Sequence, residues 1–169
     1  MSIGELSNTT RMIQSELHAE VHTGPLARDW RKVARILGAV TGGASEQRSA
    51  LLNRVRVPIG QLLIYTGANV EATQKAAQRM HTLAGGSRSE PATELVGHLG
   101  LLAQKAVDLH EQPDAYRTLI TVHWHDDDLS TRLLPGLVDS TAACIEDVEA
   151  FTTLYKVSDD YFSRYLGSL

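Results

Sequence analysis

A single cysteine, Cys144, stands among 169 residues, so the chain can form no internal disulfide and suits a reducing compartment. No apolar run approaches the ~20 residues a membrane-spanning helix needs. The first residues, Met1-Ser2-Ile3-Gly4-Glu5, have neither the basic patch nor the apolar core of a signal peptide. A cytoplasmic location is therefore expected, with no membrane partner. Catalytic signatures are missing too. There is no Gly-x-Ser-x-Gly, no phosphate loop and no dinucleotide fingerprint, and the glycine pairs are not followed by Lys-Ser/Thr. His18 and His22 are four apart, a spacing that can bind metal, but no Glu sits between them as in the metalloprotease motif. The duplicated Glu-x-x-His of di-iron bundles is absent as well. Cys144 lies among Ala142, Ala143 and Ile145 with no local cation to make a thiolate, which marks it as a core residue. No cofactor is expected, and a non-enzymatic role is favoured.

What is present centres on Pro91–His125. Leu95, Leu99, Leu102, Ala106 and Leu109 fall at alternating four- and three-residue spacing, one stripe on an α-helix. Val96, Ala103 and Val107 widen it on one flank, with Leu101 on the other, leaving His98, Gln104, Lys105 and Asp108 as a polar strip. A helix this apolar is expected to be surrounded by neighbours. Ala92–His110 is therefore read as the central post. Gly97 and Gly100 are read as places where a crossing helix comes close.

Other segments read as helices around it. Ile3–Val21 is a moderate candidate, ended by Gly24-Pro25. The next is the clearest amphipathic helix, with Leu26, Trp30, Val33, Leu37 and Val40 on one side and Arg28, Arg31, Lys32 and Arg35 nearly opposite. Gly42-Gly43 should end it. A third helix is expected over Ser45–Arg56, interrupted by Pro58 and Gly60, and a fourth from an Asn69 N-cap to Leu83, closed by Gly85-Gly86. After Pro113 a further helix carries Tyr116, Leu119, Ile120 and His123. A long one follows through Leu137, Ile145, Val148 and Tyr155, and Ser158 should cap a short terminal helix. The expected fold is an all-α, single-domain bundle of six to eight helices. The alternative is α+β, with Gln61–Tyr65 pairing with Thr118–Trp124. Lys32-Val33-Ala34 to Gly42-Gly43 also echoes Lys75-Ala76-Ala77 to Gly85-Gly86 at an offset of 43 residues, which reads as two similar helix hairpins.

Charge is divided unevenly. Residues 1–90 hold eleven Lys/Arg against seven Asp/Glu, a balance of +4, whereas residues 91–169 hold five against thirteen, a balance of −8. The two halves are expected to pack together or to meet oppositely charged partners. The leading functional expectation is a helical interaction or assembly protein, binding a protein partner or a second copy. It would join the Arg28, Arg31, Lys32, Arg35 face to an acidic face at Glu146, Asp147 and Glu149. An alternative is a DNA-binding regulator. Gln61–Met80, with a turn at Thr66–Asn69, would form a helix-turn-helix-like segment presenting Asn69, Thr73, Gln74, Lys75 and Arg79. The pI near 5.9 argues against it. A third reading is a metal-dependent enzyme built on His123, His125 and Asp127, since imidazoles and carboxylates ligate zinc, iron or manganese. The competing explanation for this run is helix punctuation. Asp126–Asp128 suit a helix start, with Asp128 as its N-cap.

Overall fold

The computed structural model describes residues 1–41, 45–123 and 127–169, with side chains described outside 41–49 and 122–131. Five helices account for nearly all of it: α1 Ile3–Glu20, α2 Gly24–Thr41, α3 Ser45–Ala84, α4 Glu90–His123 and α5 Asp127–Ser168. The chain is all-α, with no strand among the described residues. Among the described residues no helix is long and apolar enough to cross a membrane.

Two helix starts have a local cause in side-chain capping. Ser2 and Glu5 form a reciprocal capping box: Ser2 Oγ accepts the Glu5 N–H at 3.1 Å, and Glu5 Oε2 accepts the Ser2 N–H at 3.4 Å. At α4, Ser89 Oγ accepts the Ala92 N–H at 3.3 Å while its carbonyl accepts Thr93 N–H at 3.1 Å. Helix α3 ends at the Gly85-Gly86 turn, where the Gly85 N–H bonds the His81 carbonyl at 2.8 Å. α5 begins at Asp127, one residue ahead of the expected Asp128 cap.

The helices are fewer and longer than their prolines and glycines suggest. α3 runs through Pro58, Gly60 and the Thr66–Asn69 stretch, α4 through Pro113, and α5 through Pro135 and Ser158. The buried positions explain this. In α4, Ala92, Leu95, Leu99, Leu102, Ala106, Leu109, Pro113, Tyr116 and Ile120 are buried in an unbroken alternation of three and four, with His98 and Ala103 buried beside them. α3 keeps the same alternation from Leu52 through Val55, Ile59, Leu62, Thr66, Asn69 and Thr73 to Met80. That 3.5-residue period is the seam of coiled-coil-like packing. Breaking a helix would put every later residue out of phase, so the one hydrogen bond lost at each proline is tolerated.

The α+β alternative is therefore not supported. Gln61–Tyr65 lies inside α3 and Thr118–His123 inside α4, with Trp124 outside the described residues. A strand would put Leu62 and Ile64 on one face. Instead Leu62 is fully buried and Ile64 is 71% exposed.

The chain divides into two compact units. One comprises Met1–His22, Gly67–Val107 and Ala150–Leu169; the other comprises Thr23–Thr66 and Asp108–Glu149. Each is built from four helical segments, and α3, α4 and α5 contribute to both. Ala92–Val107 belongs to the first unit and Asp108–His110 to the second, and Gln104 and Asp108 are exposed, so this helix is not surrounded on all sides as its apolar sequence suggests. Leu101 is exposed, and a Cβ at Gly97 or Gly100 would meet nothing within 4 Å. No crossing helix touches these glycines. Each unit draws on both the net-basic and the net-acidic half of the chain.

Candidate interaction surface

The residues proposed for DNA readout do not form a reading edge. α3 has no turn at Thr66–Asn69, so there is no helix-turn-helix. Asn69 and Thr73 are each only 1% exposed. The Asn69 amide instead binds the backbone of His22, accepting its N–H at 2.7 Å and donating to its carbonyl at 2.8 Å. Thr73 Oγ1 donates to the Asn69 carbonyl at 2.7 Å. Gln74 is exposed. Lys75 lies 3.4 Å from Glu16 and 3.8 Å from Glu20, and Arg79 bonds Glu16. Desolvation pushes the Glu16 carboxyl up, but Lys75 and Arg79 outweigh it and hold it below the ordinary carboxylate range. The cations of this edge are thus already engaged with α1.

For the metal reading, His125 and the side chains of His123 and Asp127 lie outside the described residues. Among the described residues no three His, Cys, Asp or Glu side chains come together as ligands. His18 is engaged on both ring nitrogens: Nδ1 meets Tyr155 Oη and Nε2 meets Asp159 Oδ1, each at 2.6 Å. Asp159 also accepts from Gln14 Nε2 at 2.9 Å. This Asp–His–Tyr arrangement resembles a proton relay in outline. Burial, and then the Asp159 charge, raise the Tyr155 phenol, the wrong direction for a nucleophile. It serves to tie α1 to α5.

Two buried groups hold Cys144 and His98. Cys144 is buried, and its thiol is pushed up to about 11, first by burial and then by the Asp147 charge, against a hydrogen bond from Tyr116. Tyr116 Oη bonds the Leu137 carbonyl at 3.0 Å and Thr141 Oγ1 at 2.9 Å, and its ring meets Trp30 edge-on at 5.0 Å. In the other unit His98 is buried rather than in a polar strip. It stacks on Tyr161 at 4.3 Å, and Nε2 bonds the Leu154 carbonyl at 3.0 Å.

The α2 face differs from all of these. Arg28, Arg31, Lys32 and Arg35 are exposed, opposite the buried stripe of Leu26, Trp30, Val33, Leu37 and Val40. Beneath them Asp29 is fully buried. Its Oδ1 accepts Arg28 Nε at 3.3 Å and lies 3.9 Å from Lys32 Nζ, while Oδ2 has no hydrogen-bond partner among the described residues. Asp29 and then Tyr65 hold the Arg28 guanidinium firmly in its charged form. Arg31 and Arg35 have no ion-pair partner among the described residues, nor does Arg54 on α3. Lys32, Arg35 and Arg54 border a groove of about 400 Å³ between α2 and α3, floored by Ile36, Val57 and Pro58. Val57 is 64% exposed there. Arg54 and this groove were not legible in the sequence, because they depend on how α3 lies against α2.

On the acidic side, Glu146 and Glu149 are exposed, whereas Asp147 is half-buried and accepts Gln112 Nε2 at 2.7 Å. Charge is concentrated within this unit. Residues 23–66 carry seven Lys/Arg against two Asp/Glu, a balance of +5. Residues 108–149 carry two against ten, a balance of −8. No family model, curated protein or solved structure matches the chain.

Proposed function

We propose that the chain is a non-catalytic helical interaction protein whose working surface is the basic face of α2 and the adjoining α3 groove, with an acidic protein as partner. The observation that carries this is the pair Arg35 and Arg54, without counter-charges among the described residues, bordering an apolar-floored groove, with the equally uncompensated Arg31 one turn back along α2. Like charges held together repel, and an acidic partner relieves that repulsion. The exposed Val57 adds apolar area that a partner can cover.

The probe is a helical peptide carrying Glu at i, i+3 and i+7 with alanines between, measured by fluorescence anisotropy. Binding is expected to weaken as salt rises, and Arg31→Glu/Arg35→Glu should weaken it roughly tenfold or more. Duplex DNA is the control. Retention of DNA with no binding of the peptide would overturn the reading in favour of nucleic acid.

A further inference from the structure

We infer that the partner for this surface is a second copy of the chain, which seats the exposed face of α5 between Asp139 and Glu149 against the α2–α3 groove. The inference rests on the basic-face reading above and names its occupant. α5 buries Thr141, Cys144 and Val148. The opposite side presents Asp139, Ala142, Ala143 and Glu146, all exposed. Asp139 and Glu146 have no ion-pair or hydrogen-bond partner among the described residues.

The two faces match in spacing. Arg28, Arg31, Lys32 and Arg35 recur at three, one and three residues, and so do Asp139, Ala142, Ala143 and Glu146. Both pairs of end positions are seven residues apart, about 10 Å along a helix. Arg28 can then face Asp139 while Arg35 faces Glu146. The alanines between leave room for the Arg31 and Lys32 arms and let the helix approach the Ile36–Val57–Pro58 floor. One copy carries both faces in the same unit, so two copies can exchange them reciprocally, as a two-fold dimer requires.

Light scattering of the full chain tests this, well above micromolar concentration. The expected result is a dimer at low salt that dissociates at about 1 M, where the screening length is about 3 Å. Arg35→Glu and Glu146→Lys, which reverse one facing pair, should each be monomeric alone. Mixed in equal amounts they should dimerise, because each reversed face meets its complement. A misfolded variant could not give that rescue. The neutral variant Asp139→Asn/Glu146→Gln should weaken the dimer without reversing any charge. A mixture that stays monomeric overturns the proposed interface. A wild-type chain that is monomeric at every salt yet binds the acidic peptide overturns self-association and leaves the basic-face reading standing. If it binds neither, both fall.

Discussion

Asn69 can be read as a helix cap from its sequence neighbours, yet it sits inside α3 with a different job. Its amide supplies one acceptor and one donor to the His22 backbone, so it fixes the path of the chain between α1 and α2. Asn69→Ala strips both partners and is expected to cost about 2–3 kcal/mol in chemical denaturation. Asn69→Asp keeps the acceptor but turns an oxygen towards the His22 carbonyl, and should destabilise despite its near-identical shape. Glycines divide by the same local reasoning. Gly97→Ala and Gly100→Ala meet no neighbour, and each should stabilise by about 1 kcal/mol. A Cβ at Gly85 would lie 2.4 Å from the His81 carbonyl oxygen, so Gly85→Ala should destabilise. Titration has a direction at both ends of the pH scale. The folded state raises the Cys144 thiol from 9.0 to about 11 and raises Tyr116 as well, mainly by burial. The Cys144 contribution is complete below pH 9 and is lost as pH climbs towards 11, on the order of 2–3 kcal/mol, whereas that of Tyr116 starts to be lost only above pH 10. His98 is shifted the other way. Burial lowers it below 6.5, against the bond to Leu154. Its contribution is present above pH 6.5 and fades as pH falls through the lowered value. Melting temperatures across pH check both slopes, and His98→Gln should flatten the acid one.

At the level of elements, the apolar phase was legible and the breaks were not. Leu95, Leu99, Leu102, Ala106 and Leu109 are buried as their spacing requires, and so is the α2 stripe. The Ser2–Glu5 box was also there to be found, three residues apart ahead of an apolar run. Proline and glycine misled because their local cost, about 3 kcal/mol for an interior proline, is smaller than that of putting a long buried stripe out of register. Pro113 even occupies a buried position in its stripe, and Pro58 is buried beside Ile59. Pro135 is exposed and gains nothing of the kind. Pro135→Ala restores a hydrogen bond to the Thr131 carbonyl and should raise stability by about 1–3 kcal/mol in urea titrations. Buried hydroxyls fit the helices by bonding within them: Thr66 to the Leu62 carbonyl, Thr141 to Leu137, Ser158 to Tyr155. Ser158, which reads as a cap, is therefore an interior residue. Of the candidate surface, the α2 cations were visible as a polar stripe opposite an apolar one. Engagement of Lys75 and Arg79 by Glu16 was not, because those partners are about sixty residues apart in the chain.

For the molecule as a whole, the division of charge between the chain halves does not require them to be held together by it. Arg31 and Arg35 have no ion-pair partner among the described residues, so Arg31→Glu/Arg35→Glu should leave the monomer's stability within about 0.5 kcal/mol of wild type. A large fall in thermal stability would instead place those charges in an internal pairing. α3, α4 and α5 pass through both compact units without a break. Loss of either unit therefore frays helices of the other, and unfolding is expected to be one transition. Helical ellipticity and Cys144 labelling should then follow a single curve; labelling that precedes helix loss would separate the units. The lone thiol has one more consequence. With Cys144 buried against Tyr116 and no second cysteine in the chain, a sulfur–sulfur link between two copies can form only after a chain has opened. Covalent dimers on a non-reducing gel would then be a tally of past unfolding, accumulating with heat or age, and independent of any pairing made by charge.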